Sequence, residues 1–481
     1  MVDCVSESFV LGIDVGTTSI KVSLLRNNTR DVVESFSCET GANICVEDLD
    51  FAEQDVAKIL ASLHHVLGQL STHLLVKVSS IGICGQMHGC VMWKGQSCVT
   101  WNTSEFRDYF RARDNVSHLI TWEDRRCTSE FLATLPASRT NAAISTGFGC
   151  ASLFWLQRNR PYLLERFDCA GTIMDLIVCV LCQMDKPSMS THNAVSWGYF
   201  HVDNMTWELD VLEHAKFPTH LLPVVVTPDA VAGKLQRAFY NIPVGTPVGV
   251  GLGDFQCSVL ASMSQQSDAV LNIGTSCQLA VVVPDSVCAI DSGDSPNLAK
   301  NVTREALQLL PFFKGRKVIT AASLSGGNVF AVYVKMLMSW MKDLGVNDSL
   351  PSTDEIYQRI LYYAEKKGST SLKVDPTFWG ERRFPDQLGQ VTNVTPENIS
   401  LGDIGVALSR GLVENVQKMM SREFLQLHGV QRIVGTGSAL MRNQVLQKQV
   451  EQVFGLPLVL HENVDASTGA ALAVLCREKL I

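Results

Sequence analysis

The sequence predicts an α/β protein made of two related domains, and three observations carry that prediction. Short apolar runs of strand type alternate with longer helical patterns. A strand, a glycine-led turn and a return strand open the chain and occur again about half a chain later, as in a duplicated and diverged domain. Alternating glycines at 248–253 run into Asp254 just before the second copy, which places the boundary between a domain of 1–253 and one of 254–481.

Residues 9–13 are a short apolar run that Asp14 ends, and residues 16–19 (Gly-Thr-Thr-Ser) form a turn. Residues 20–25 alternate apolar and polar, so the opening reads as a β-hairpin. Polar residues follow to about Asp50. Val56, Ile59, Leu60, Leu63, Val66, Leu67 and Leu70 then recur at helical spacing. Residues 78–84 read as a buried strand that leads into Gly85, Gln86, Met87, His88 and Gly89. Downstream, residues 269–273 are the second opening strand, Gly274-Thr275-Ser276 its turn and 277–283 its return strand. Helical patterns cover 328–344, 403–427 and 443–454, and a strand at 432–434 precedes Gly437 and Ser438. Residues 284–310 and 368–400 are polar or rich in Pro and Gly, and read as surface loops or hairpins.

Composition excludes several classes. The chain is 46% hydrophobic and 18% charged, too apolar for intrinsic disorder. A net charge of −8 provides no global basic field, so neither nucleic acid nor an anionic membrane is expected as a partner. The apolar stretch 170–182 is too short to span a bilayer and carries Asp175. The N-terminal residues lack a basic region, so no signal peptide is expected. Fifteen cysteines, an odd number, sit singly or in apolar segments and read as reduced thiols of a cytoplasmic protein. Cys179 and Cys182 have metal-like spacing but no second pair, and read as packing residues. The G-x-x-x-x-G-K-[ST] phosphate loop is absent, and Gly249 and Gly251 lack the third glycine of a dinucleotide fingerprint.

What remains points to phosphate and polyol chemistry. A carboxylate at a strand end, such as Asp14, can hold Mg²⁺. Gly16 lets the backbone approach a phosphate, and Thr17 and Thr18 can donate to its oxygens, although a plain hairpin turn would look the same. The second turn at 274–276 offers a matching set of donors. Asp254 can accept a hydroxyl proton or can simply cap a helix. Gln86 and His88 follow a buried strand at the end where α/β ligands bind. The run from Trp122 to Arg126 reads either as a solvated charge run beside a buried Trp or as a polyol contact.

Taken together, these residues resemble the FGGY family of carbohydrate kinases over nearly the whole chain. The resemblance implies two actin/hexokinase-like (ribonuclease H-like) ATPase domains around a central cleft, with sugar mainly on the first and ATP mainly on the second. It implies a first phosphate motif of Asp14, Gly16, Thr17, Thr18 and Lys21, with Asp14 anchoring Mg²⁺. It implies a second phosphate motif of Gly274, Thr275 and Ser276 with Gly326, and an adenosine motif of Gly437, Ser438 and Ala439 with Asn443. Asp254 corresponds to the catalytic base, and Gln86, Met87, His88 and Trp122 to the substrate contacts. Residues 465–471 resemble a closing helix beside the nucleotide. Segments 146–155, 193–200, 323–329 and 385–388 imply, within the family, a seven-carbon ketose phosphorylated on its terminal hydroxyl for the pentose phosphate pathway. Arg125 stands where the family commonly has Gly, and Met174 where a His often precedes the Asp.

The expected activity is an ATP-dependent ketose kinase, with a small-molecule ketose and Mg·ATP as ligands and the oligomeric state left open. A pentulose kinase would carry the same motifs. An actin-like ATPase of the chaperone type would lack sugar contacts, and a sugar sensor on this fold would not need Asp14 and Asp254.

Overall fold

The computed structural model describes residues 7–45, 50–103, 108–140, 144–287, 307–346, 350–381, 386–462 and 465–475. The chain divides into two compact units. Unit 1 is Met1–Ala261 with Pro311–Gly315 and Asp465–Ile481; unit 2 is Ser262–Leu310 with Arg316–Val464. The segment after Asp465, grouped with the C-terminal domain on sequence grounds, thus lies in unit 1.

Unit 1 is built on an eight-stranded sheet. Its strands are β1 (Phe9–Val15), β2 (Ser19–Arg26), β3 (Val32–Glu39), β4 (Val78–Gly85), β5 (Ser188–Ser190), β6 (Val224–Val226), β7 (Val231–Lys234) and β8 (Pro247–Gly253). The order is β6-β5-β8-β4-β1-β2-β3, with β7 against β8. β1 to β3 form an antiparallel meander, whereas β4, β8, β5 and β6 continue the sheet in parallel from β1. β1 is buried on both faces, as its apolar run requires, and Phe9, Leu11 and Ile13 join one core with the helix Val56–Leu67. Asp55 caps that helix by accepting from the Ala57 and Lys58 amides, and the periodic residues from Val56 to Leu67 form its buried stripe.

Unit 2 repeats the plan. Its strands are β9 (Asp268–Ile273), β10 (Cys277–Val283), β11 (Leu307–Pro311), β12 (Lys317–Ser323), β13 (Arg432–Thr436) and β14 (Leu458–Leu460), in the order β11-β12-β10-β9-β13-β14. β9 and β10 form the second hairpin, β12 extends it, and β13 and β14 lie parallel on the other side of β9. The helices Asn328–Asp343 and Leu401–Met419 occupy two of the expected patterns. Ser400 opens the second of these with a capping box to Asp403.

Two details differ from the sequence reading. Residues 32–39 form β3, which an edge position leaves half exposed and without the apolar signature of a buried strand. Residues 307–311, read as part of a loop, form β11; residues 288–306 of that stretch lie outside the described residues, as does Pro385. The apolar run near 173–182 is a helix buried at every position and opened by a Thr172–Asp175 capping box. Its Cys179 and Cys182 are buried free thiols, and the described residues contain no group of three metal-ligating side chains. No described helix is long and apolar enough to cross a membrane.

Candidate active site

In unit 1 the parallel strands end level with one another. Val15 pairs with Gly85, and Gly85 with Gly253, so Gly16, Gln86 and Asp254 follow in one row beyond the carboxyl ends of β1, β4 and β8.

Asp14 pairs across the hairpin with Lys21 and across the parallel ladder with Cys84, whose thiol donates to its Oδ1 at 3.8 Å. Burial pushes the Asp14 carboxyl up to about 8. Asp254 and Asp465 add to the rise and Lys21 opposes it. Asp254 begins the helix Asp254–Ser262, and its Oδ1 accepts from the Phe255 amide at 2.7 Å. Burial raises its carboxyl to about 6, held down by the Phe255 amide and its own. Asp465 accepts from the Thr468 amide and the Ser467 hydroxyl at the start of the helix Ala466–Leu475.

That helix lies flush against β1 and β4 because both offer glycine. A Cβ on Gly12 would stand 1.9 Å from the Ser467 carbonyl oxygen, and one on Gly82 would stand 2.0 Å from that of Ala470. Gly469 meets the Cys257 carbonyl oxygen in the same way at 1.9 Å. Three carboxylates from residues 14, 254 and 465 are thereby gathered in unit 1. Met174, a departure from the family pattern, packs its side chain beneath Gly85 and Gly251.

The expected sugar residues connect to the first hairpin. Gln86 is buried, and its Nε2 donates to Gln54 Oε1 at 2.9 Å. Gln54 in turn donates to the Thr17 carbonyl at 2.7 Å, and Trp122 Nε1 donates to the Thr17 hydroxyl at 2.9 Å. Met87 is buried, with its sulfur against Gly253. His88 has a φ of 72°, a strained conformation for a residue with a Cβ. The strain is held by a 3.0 Å bond from Nδ1 to the Ser196 carbonyl and by stacking on Phe148 at 4.9 Å. Since a carbonyl only accepts, Nδ1 carries the proton there.

The reading of residues 122–126 as a solvated charge run beside a buried Trp does not fit. Trp122 is 42% exposed, whereas Asp124 and Arg126 are buried. Arg126 grips both Asp124 oxygens at 2.8 Å, bonds Glu53 at 2.7 Å and lies over the Phe51 ring. This brace supports the backbone that presents Trp122. Arg125 is exposed, and its amide bonds the Asp50 carbonyl. Gln54 is a link that sequence reasoning missed; a lone Gln in a two-residue strand carries no motif.

In unit 2, Gly274, Thr275, Ser276, Gly326, Gly437, Ser438 and Ala439 come together. The Gly327 amide donates to the Gly274 carbonyl at 2.7 Å, and the Asn328 amide to that of Thr275. A Cβ on Gly326 would meet the Ser276 backbone at 2.5 Å. Gly437, at φ 91°, has no room for a Cβ beside Asn272 and Ile273. Asn443 is fully buried, and its Oδ1 caps the helix Gln444–Phe454 through the Leu446 amide. Its carbonyl is therefore committed to the fold.

Comparison with known proteins shows the family of the chain. Residues 9–261 match the N-terminal domain of the FGGY family of carbohydrate kinases. The chain is 44% identical to "Sedoheptulokinase" of Homo sapiens over 477 residues, 97% of each chain, and 42% identical to that of Mus musculus over 98% of each. Similarity to "Xylulose kinase" of Escherichia coli (strain K12) is 25% over 277 residues, about half of each chain. Among solved structures, xylulose kinase from Rhodospirillum rubrum superposes with a TM-score of 0.76 at 19% identity, covering 98% of this chain and 90% of the other, a likeness of fold. With the domain matched, near-full-length relatives found and a duplicated meander-plus-parallel sheet in each unit, the chain belongs to the FGGY family of carbohydrate kinases.

Proposed function

We propose that this protein transfers the γ-phosphate of ATP to the terminal hydroxyl of sedoheptulose, giving sedoheptulose 7-phosphate. The observation that carries the sugar identity is the 44% identity spread over 97% of both chains, against 25% over half the chain for the xylulose kinase. The motifs alone are common to ketose kinases.

Asp254 is the base. At about 6 its pKa leaves it ionised at neutral pH yet more basic than an ordinary carboxylate, which suits it to take the hydroxyl proton as the oxygen attacks phosphorus. Gln86, Met87, His88 and Trp122 hold the sugar, with His88 fixed in tautomer and direction by Ser196 and Phe148. Gly16, Thr17, Thr18 and Lys21 are the first phosphate motif, Gly274, Thr275, Ser276 and Gly326 the second, and Gly437, Ser438 and Ala439, with Asn443 behind them, shape the adenosine side.

The residues also fit Mg²⁺. Beyond the rise from burial, Asp254 and Asp465 raise Asp14 further, an excess of negative charge that a divalent cation relieves. A site of one carboxylate plus substrate phosphates is the usual arrangement for this ion. Asp14 would hold it, and when bound the ion neutralises charge between the β and γ phosphates.

The test is ADP release from Mg·ATP across a panel of ketoses. The expected result is a higher kcat/KM for sedoheptulose than for xylulose, with the product phosphorylated on the terminal hydroxyl. Preference for xylulose removes the sedoheptulose assignment and keeps the kinase. If no ketose raises ADP release above the reaction with water, the ATPase and sensor readings replace it.

A further inference from the structure

We propose that His192 is a sugar-contacting, specificity-determining residue, completing a buried polar wall beside Asp254; this deepens the sugar-kinase reading above and rests on it.

The placement follows from strand register. Met189 of β5 pairs in parallel with Gly251 of β8, and Gly253 pairs with Gly85 of β4. Counted along these ladders, His192, Asp254 and Gln86 occupy one row beyond the strand ends. The Ser190 hydroxyl and Asn193 Nδ2 both donate to the Gly251 carbonyl, at 2.7 and 3.1 Å, and pin the start of the helix Thr191–Trp197 to β8.

His192 is only 1% exposed, and neither ring nitrogen has a hydrogen-bond partner. Its ring meets Phe313 edge to face at 4.9 Å, a contact that satisfies no polar atom. Burial lowers its pKa to about 3, so the ring is neutral, with one N–H donor and one acceptor. The same region leaves Gln86 Oε1, Asn193 Oδ1 and Gln256 Oε1 unpartnered in buried residues. Gln256 sits two residues after Asp254, its Oε1 against Gly253.

Buried polar atoms in a native fold are paired, so such a group calls for an occupant. Its chemistry is legible in the atoms. Three carbonyl oxygens ask for donors and repel an anion. The neutral imidazole asks for one acceptor and one donor. A chain of hydroxyls, each donating and accepting, meets all of these demands, as a ketose does.

The measurement is steady-state kinetics and sedoheptulose-induced thermal shift for wild type, His192→Phe and His192→Asn. Phe keeps the ring packing on Phe313 and removes both nitrogens. The expected result for His192→Phe is a rise of about 10- to 100-fold in KM for sedoheptulose, with KM for ATP within about twofold, as the contact is to the sugar. Its sugar-free melting temperature should be no lower than wild type, because two unpaired polar atoms are gone. Asn, which restores a donor and an acceptor, should recover part of the loss.

A folded His192→Phe with unchanged sugar KM overturns the proposal and means that water satisfies the nitrogens. If the variants do not fold, ring-nitrogen NMR of ¹⁵N-histidine-labelled wild type decides. A His192 resonance that shifts with sedoheptulose supports the contact, and one that does not overturns it. A wild type that neither phosphorylates nor binds any ketose defeats the kinase reading and this inference together. A fully active wild type with an indifferent His192→Phe defeats this inference alone.

Discussion

At the turn of the first hairpin the last paired residues are Val15 and Ile20, with Asp14 one step inside; at the second they are Ile273 and Cys277, with Asn272 in the place of Asp14. Both hairpins extend into an antiparallel third strand on one side and parallel strands on the other. Their surroundings differ. Burial, with Asp254 and Asp465 adding to it, drives Asp14 towards its protonated form. Asn272 lies against Gly437, in a nest of glycine backbone. The two hairpins share a backbone plan but differ in turn length and in the facing pair, Asp14 with Lys21 in the first and Asn272 with Gln278 in the second. The acid suits metal and proton chemistry, while the amide leaves a neutral cradle that does not repel phosphate.

The comparison can be broken first at Asp254, which has no counterpart in the second hairpin. Asp254→Asn should fold and bind both substrates while kcat falls by about 10²–10⁴-fold; near-wild-type turnover in the folded variant removes it as the base. In the wild type, kcat should decline as pH falls through about 6, because the base is then protonated. A pH–rate profile without that acid limb contradicts the assignment.

Asp14→Asn gives the first hairpin the amide that the second carries at Asn272. Turnover should drop by about tenfold or more, and the half-saturating Mg²⁺ concentration should rise. An unchanged Mg²⁺ titration sinks the metal role. Stability should move the other way. The folded pKa of about 8 lies above the ordinary 3.8, so the native state holds a proton that the unfolded chain has released between those values. Stability from this group is therefore full below about 4 and is lost as pH rises towards 8. The Asn variant should show a flatter melting profile over that window and a higher Tm at its upper end, measured without nucleotide.

The reverse exchange, Asn272→Asp, places a carboxylate in the neutral cradle. KM for ATP should rise severalfold by like-charge repulsion, with KM for sugar little changed. Equal effects on both substrates would mean that the second hairpin does not face phosphate. The smallest effect is expected at His88. Replacing it with Ala removes the ring but keeps the Cβ, and with it the strain at φ 72°, and should raise the sugar KM several times more than the ATP KM.

Local signals made much of this readable from residues alone. Both hairpins, the 56–67 helix and the 173–182 helix announce themselves because apolar period and turn residues act over a few positions. β3 does not, since an edge strand with one wet face has little apolar pattern to show. The Arg126 brace was illegible because its partners Glu53 and Phe51 lie some seventy residues away and only the fold brings them in. Gln54 and His192 stayed hidden for a related reason. Each is a single polar residue whose meaning comes from register across strands. The charged positions Asp14 and Asp254 were legible through the glycines beside them, whereas Asp465 as a neighbour of Asp14 was not.

The flush seating of the Ala466–Leu475 helix on Gly12 and Gly82 has a consequence for how the molecule is made. The sheet of unit 1 is nearly all translated by residue 253, yet the helix that covers β1 and β4 is encoded more than two hundred residues later. At about 5–20 residues per second, a ribosome needs some ten seconds or more to deliver it. Throughout that interval the nascent first unit has a bare strip over its central strands and lacks Asp465. Unit 2 has to be synthesised in the meantime, so the first-begun unit is finished after the second, and the site gains its third carboxylate only once unit 2 has been made.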